Sequence, residues 1–228
     1  MKRLHYFAHD VARAGSRAGF TLVELGIGLL MLSTVGGIFL LTTQTTSSAV
    51  RTGVAVADLD AEALRVVERV CRGLKSAGAA LATPQAVTPF SGTMLDYQRG
   101  LGADADGDPQ WGPVERLVLE YAEANDGIDD DGDGLVDESQ LVWVEDPGGA
   151  NERRIVLCGA VREYLEGETF DGEDENGNGL IDERGFALDF DETGVRVRVR
   201  LTLEGRDSKG LVILSTVERT VAFRNTGT

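Results

Sequence analysis

Two acidic stretches of this 228-residue chain carry oxygen-bearing side chains at alternating positions. The first reads Asp126-Gly127-Ile128-Asp129-Asp130-Asp131-Gly132-Asp133-Gly134-Leu135-Val136-Asp137-Glu138. It recurs 45 residues later as Asp171-Gly172-Glu173-Asp174-Glu175-Asn176-Gly177-Asn178-Gly179-Leu180-Ile181-Asp182-Glu183. With Asp129 and Asp174 as position one, side-chain oxygens fall at positions one, three and five: Asp129, Asp131 and Asp133, then Asp174, Asn176 and Asn178. Gly134 and Gly179 at position six permit a sharp turn, the carbonyls of Leu135 and Leu180 stand at seven, and Asp137 and Asp182 add an oxygen at nine. Oxygens at this spacing wrap a hard cation, so two calcium sites are expected; magnesium demands stricter octahedral geometry and fits less well.

Both stretches resemble the opening of an EF-hand-like or dockerin-like calcium loop. A complete EF-hand loop ends on a bidentate glutamate at position twelve, where this chain has Gln140 and Gly185. The closing ligand is left to Glu138 and Glu183, to the leading Asp126 and Asp171, or to water. No flanking helices are evident, so these are loops set among strands and not sensors that open a groove. Asp104-Ala105-Asp106-Gly107-Asp108, broken at Pro109, is a shorter cousin and a weaker third site. Residues 123–146 hold ten acids and no Lys or Arg; residues 163–192 hold twelve acids and only Arg184, so the two stretches carry −21 between them. Without cations such clusters repel; the competing reading is a pair of solvated acidic loops.

The rest of the composition removes most other chemistry. A net charge of −16 lacks the basic footprint of a nucleic-acid binder, so no nucleic-acid partner is expected. The two histidines, His5 and His9, lie at the extreme N-terminus, and Cys71 and Cys158 are too few for a zinc site. No nucleophile–base pair and no phosphate-cradling glycine motif is present, so the chain does not read as an enzyme.

Residues 1–19 carry Lys2, Arg3, Arg13 and Arg17 against Asp10. From Phe20 to Leu41 follow 22 residues with one charge, Glu24; as a helix they extend about 33 Å, enough to cross a bilayer. The basic flank comes first, which predicts a cytoplasmic start and an exported remainder. A cleaved secretory signal is the competing reading, with Ser47-Ser48-Ala49 as its cleavage site, although the apolar run is longer than the usual signal core. An acid inside a membrane segment costs on the order of 3 kcal/mol and calls for a partner.

Gly19-Phe20-Thr21-Leu22-Val23-Glu24-Leu25 resembles the processing site of type IV prepilins and pseudopilins. The resemblance implies cleavage after Gly19 by prepilin peptidase and N-methylation of Phe20. It also implies that Glu24 pairs with the N-terminal amine of a neighbouring subunit during assembly. The leader is longer than the shortest pilin leaders, the family's common mid-membrane proline is missing, and the close likeness covers only about the first 40 residues. In plan the chain is similar to the PilW-like or J-type pseudopilin group.

Residues 57–78 read as an amphipathic helix with Leu64, Val67, Cys71 and Leu74 on one buried face, closed by Pro84. Beyond it the period switches to two. Val114–Ala122, Gln140–Glu145, Arg154–Cys158, Val161–Leu165 and above all Val195–Leu203 are strand candidates, the last leading through a turn at Glu204–Gly210 into Leu211–Phe223. Arg196, Arg198 and Arg200 read as a solvated strand face. The expected class is α+β: a long N-terminal helix, half in the membrane and half amphipathic, packed on an antiparallel sheet with calcium-loop insertions. The expected organisation is a leader (1–19), a membrane and assembly helix (20–50), its amphipathic half (51–83) and an exported β domain (84–228) with acidic loops at 125–138 and 170–183. Cys71 and Cys158 both face the helix–sheet interface in this arrangement, as buried thiols or as a disulfide.

The function expected is a structural minor pilin or pseudopilin of a type IV pilus or a type II secretion system. Its partners would be other pilin or pseudopilin subunits, prepilin peptidase and inner-membrane lipid. The alternative is a membrane-anchored, calcium-dependent adhesin or binding module outside any filament.

Overall fold

The computed structural model describes residues 19–83, 92–124, 126–130, 132 and 134–225. Pro84, Asp131, Asp133 and the leader up to residue 18 lie outside the described residues. The chain divides into two compact units, Met1–Ser47 and Ser48–Thr228.

In the first unit helix α1, which spans Leu22–Lys75, begins with a reciprocal cap. The Glu24 N–H donates to Thr21 Oγ1 at 3.2 Å, and the Thr21 N–H donates to Glu24 Oε2 at 2.9 Å. This is the Thr-x-x-Glu capping box, which satisfies two otherwise orphaned backbone donors. From Leu22 to Leu41 the large apolar side chains are exposed on every side of the helix. A helix apolar all round needs lipid or other helices about it. Its hydroxyls are matched internally: Ser33, Thr34, Thr42, Thr43 and Thr45 each donate to a carbonyl three or four residues back. That removes the penalty of carrying an unpaired hydroxyl in an apolar medium. Among the described residues α1 is the one helix long and apolar enough to cross a membrane.

In the second unit, the remainder of α1 lies on an antiparallel sheet, giving the α+β class. Ala63, Val66, Val67, Val70 and Leu74 form its buried stripe. Leu64 is exposed, so the stripe is turned by about one residue from the sequence reading. Ala63 and Gly73 are small residues at the contact, a signal that counting large apolar residues misses. The helix ends at Lys75, ahead of Pro84, with Arg72 and Lys75 facing the negative end of its dipole. The Lys75 carbonyl accepts the Arg224 N–H at 3.1 Å and the Ser76 carbonyl accepts Asn225 Nδ2 at 2.9 Å, so the far end of the described chain caps the helix. A short 3₁₀ turn, Ala79–Leu81, follows.

Seven strands make the sheet: β1 (Met94–Ala103), β2 (Pro109–Tyr121), β3 (Ser139–Glu145), β4 (Arg153–Val161), β5 (Phe186–Phe190), β6 (Arg196–Arg206) and β7 (Val212–Ala222). Their order is β1-β2-β3-β4-β6-β5, with β7 on the other side of β6. The alternating segment at 195–203 falls in β6, which is paired on both sides, and its apolar residues Val197, Val199, Leu201 and Leu203 are buried in the core. Of the two candidates at 154–158 and 161–165, the first lies within β4 and the second is not a strand, because β4 ends at Val161, whose one ladder partner on β6 is Leu203. Strands β1 and β5 were not anticipated. Arg200 also departs from expectation. It is buried, not solvated, because the second acidic loop and β7 cover that side of β6.

Cys71 and Cys158 are free thiols, Cys158 in the core and Cys71 packed at its margin. Burial pushes the Cys158 thiol up to about 12 and raises Cys71 as well, the direction expected of thiols packed against apolar side chains.

Gly185 begins the return to β5 under a severe constraint. Its N–H donates to the Glu163 carbonyl at 3.0 Å and its carbonyl accepts the Thr202 N–H at 2.7 Å. A Cβ there would stand 1.7 Å from the Arg162 carbonyl oxygen. Position twelve of the second repeat therefore has no room for a glutamate. Gly185→Ala should lower stability by about 3 kcal/mol or more through backbone overpacking, as read by denaturant unfolding of the full chain.

Candidate metal centres

The first repeat fills the connection between β2 and β3. It is closed at its base by the pair Tyr121 and Ser139 and by the Ala122 N–H on the Glu138 carbonyl at 3.0 Å. The second repeat lies between β4 and β5, closed by the bridge of Tyr164 with Arg184 and by the Leu165 N–H on the Glu183 carbonyl at 2.9 Å. Arg184 joins the two bases. Its guanidinium donates to the Tyr121 hydroxyl at 2.8 Å and to Glu163 at 3.1 Å, and lies over the Tyr164 ring.

The sequence repeat is a conformational repeat. Left-handed backbone falls at Gly127, Gly132, Gly134 and Asp137, and again at the matching Gly172, Gly177, Gly179 and Asp182. Position one behaves alike in both. Asp129 accepts the N–H groups of Gly132 at 2.6 Å and Gly134 at 3.0 Å. Asp174 accepts those of Gly177 at 2.7 Å, Asn178 at 3.1 Å and Gly179 at 2.8 Å. Each loop is thus wound around its first carboxylate.

Position nine has a second task. Asp137 Oδ1 accepts the N–H groups of Asp126 and Gly127, and Asp182 Oδ1 those of Asp171 and Gly172. These aspartates clasp the start of each loop to its end. Their positive φ values, 56° and 52°, send the chain on into extended backbone where an EF-hand would start a helix. The leading Asp126 and Asp171 turn back on the N–H groups of Ile128 and Glu173. Of the expected ligands, Asp129, Asp137 and Glu138 are placed in the first loop, while Asp131 and Asp133 lie outside the described residues. In the second loop Asn176 Oδ1 accepts the Asn178 N–H, and Asn178 Oδ1 accepts the Leu180 N–H. Leu135 and Leu180 are buried and anchor each loop to the domain. Asp104, Asp106 and Asp108 form the β1–β2 hairpin tip, where Asp104 Oδ1 accepts two backbone N–H groups of the turn. Among the described residues no three His, Cys, Asp or Glu side chains converge at metal-ligating distance.

The donors on offer are carboxylate, amide and carbonyl oxygens, the set suited to a hard divalent cation. The interior of the second loop is anionic and dry. Glu183 is 1% exposed; its Oε1 accepts Asn178 Nδ2 at 2.7 Å and an Arg200 guanidinium nitrogen at 3.1 Å, and its Oε2 has no hydrogen-bond partner. Glu168, which the sequence reading passed over, is 2% exposed, and its Oε1 accepts the Asn176 N–H at 3.2 Å. Burial pushes the Glu168 carboxyl up to about 7; the Asn176 N–H pulls the other way, and the charges of Glu183 and Glu175 add to the rise. The missed signal was available: Glu123 precedes Asp129 by the same interval as Glu168 precedes Asp174, so the repeat begins earlier than the ligand pattern does.

Arg200 holds Glu183 on one side and Glu218 on the other, at 3.1 and 2.9 Å. In metal-free buffer Arg200→Met should cost about 3–5 kcal/mol, because it leaves Glu183 buried and uncompensated. The double variant Arg200→Met/Glu183→Gln should recover most of that loss, as read by a double-mutant cycle of unfolding free energies.

Compared with protein-family models, curated proteins and solved structures, the chain shows no match.

Proposed function

We propose that this chain is a structural subunit of the type IV pilin-like class, a minor pilin or pseudopilin, anchored by α1 and carrying a calcium-stabilised β domain. The observation that carries this reading is the junction Gly19-Phe20 followed by Glu24 at the head of a helix whose large apolar residues are exposed on all sides from Leu22 to Leu41. In this reading prepilin peptidase cleaves after Gly19, Phe20 is methylated, and the chain waits in the inner membrane with its β domain on the periplasmic side. Glu24 then meets the amine of a neighbouring subunit, a pairing that sets register within the bundle. The two acidic loops bind calcium as static staples that offset their own repulsion and couple folding to export.

The capping box supports a second reading. Thr21 occupies the Glu24 carboxylate within one chain, so Glu24 has a use without any neighbour. An anchored calcium-binding module outside any filament would suffice for that role.

Mass spectrometry of the N-terminal peptide separates the two. A peptide starting at methylated Phe20 is the expected result, in sheared surface fibres for a pilus or confined to membranes for a secretion pseudopilin. A chain still starting at Met1, or cut near Ala49, would refute the filament reading.

Calcium is tested separately by melting the full chain in detergent micelles. Calcium should raise the melting temperature, and Asp129→Ala with Asp174→Ala should erase the gain. Identical melting with calcium and with chelator would remove the cation from the account.

A further inference from the structure

The second acidic loop lacks its usual closing ligand, and the fold explains why. Position twelve is Gly185, where any Cβ would strike the Arg162 carbonyl oxygen. In the first loop position twelve is Gln140, already within strand β3, with its amide directed to Glu120 at 3.3 Å. A carboxylate that completes either loop must come from elsewhere in the chain.

Glu168 stands six residues ahead of Asp174 and is 2% exposed. The Asn176 N–H, at position three, holds its Oε1 against the loop backbone, and no hydrogen-bond donor reaches its Oε2. Glu183, from the opposite end of the loop, presents a second buried Oε2 without a donor. Arg200 bonds Glu183 but makes no hydrogen bond to Glu168. A buried carboxylate oxygen with no donor is costly unless a proton or a cation completes it. That need is local to the loop interior and is distinct from the ligand spacing read in the sequence.

We propose that Glu168 is the closing carboxylate ligand of the second loop, supplied from upstream of position one, and that Glu123 serves the first loop in the same way. This rests on the reading of the repeats as calcium loops and deepens it. The ion is then enclosed between a glutamate that precedes the loop and the aspartate and asparagine oxygens within it, with Glu183 as the second buried carboxylate. Glu123 is assigned by its equivalent place in the repeat. An upstream ligand suits loops that leave as strands, because no helix follows position nine to carry a glutamate back to the ion.

The test titrates calcium chloride into the full-length chain in detergent micelles by calorimetry, for the wild type and for Glu168→Gln, Glu123→Gln and Asp174→Asn. Glu163→Gln, which alters an acid paired outside the loop with Arg184, is the control. The wild type should bind two ions. Glu168→Gln should weaken one of them about tenfold or more and leave the other unchanged, Glu123→Gln should weaken the other, and Glu163→Gln should change neither. A melt in chelator guards against a folding defect: Glu168→Gln should melt no lower than wild type, since the neutral amide removes a buried repulsion. Two-ion binding at wild-type affinity in Glu168→Gln would overturn the assignment, as would a lower chelator melt with binding intact. If the wild type binds no calcium and Asp174→Asn changes nothing, the calcium-loop reading falls as well.

Discussion

Arg200 is a guanidinium buried on β6, a strand paired on both sides, and two acids from separate parts of the domain converge on it. Glu183 reaches it from the acidic loop and Glu218 from β7. A charge taken out of water demands this matching, because either partner left alone would face a large desolvation penalty. The pair thereby fastens an acidic insertion to the sheet at a fixed point. It also draws Glu183 inward, which makes the loop interior both dry and negative. The conformational repeat, the clasping aspartates and the crowded Gly185 all serve a loop whose geometry is settled from that anchor outward.

The loops and the core meet the charge problem differently. The core is apolar and lies between the second part of α1 and the inward residues of the strands, so it gains nothing from the acids. Many of the acids lie in connections, where Asp129, Asp174, Asp191 and Asp207 accept backbone N–H groups of their own turns. At Asp191 and Asp207 these backbone hydrogen bonds hold the carboxyl below its usual range.

Periodicity made the long helix, the β6–β7 hairpin and the repeats legible, because each has a regular spacing over ten or more residues. Other features have no such spacing. Strand β1 carries glycines and register shifts near Gly100 and Gly102 that erase alternation, and β5 has only five residues. The helix stripe was misplaced by one position because Ala63 contributes closeness and not bulk. Arg200 looks the same in sequence as Arg196 and Arg198; only the loop folded over it makes it different. Glu168 was hidden for a related reason, since it lies outside the spacing that defines the loop and is brought in by the turn Leu165–Glu168, where the Glu168 N–H meets the Leu165 carbonyl.

The cap on α1 has a consequence for the order in which the domain can be made. Asn225 meets the Ser76 carbonyl across a separation of 149 residues. The ribosome therefore releases the helix long before it releases the residues that finish it. Contacts of such long range form slowly, after a large loop has been closed. Until then the growing chain presents an unfinished sheet edge and is most exposed to proteases and to pairing with unfinished copies of itself.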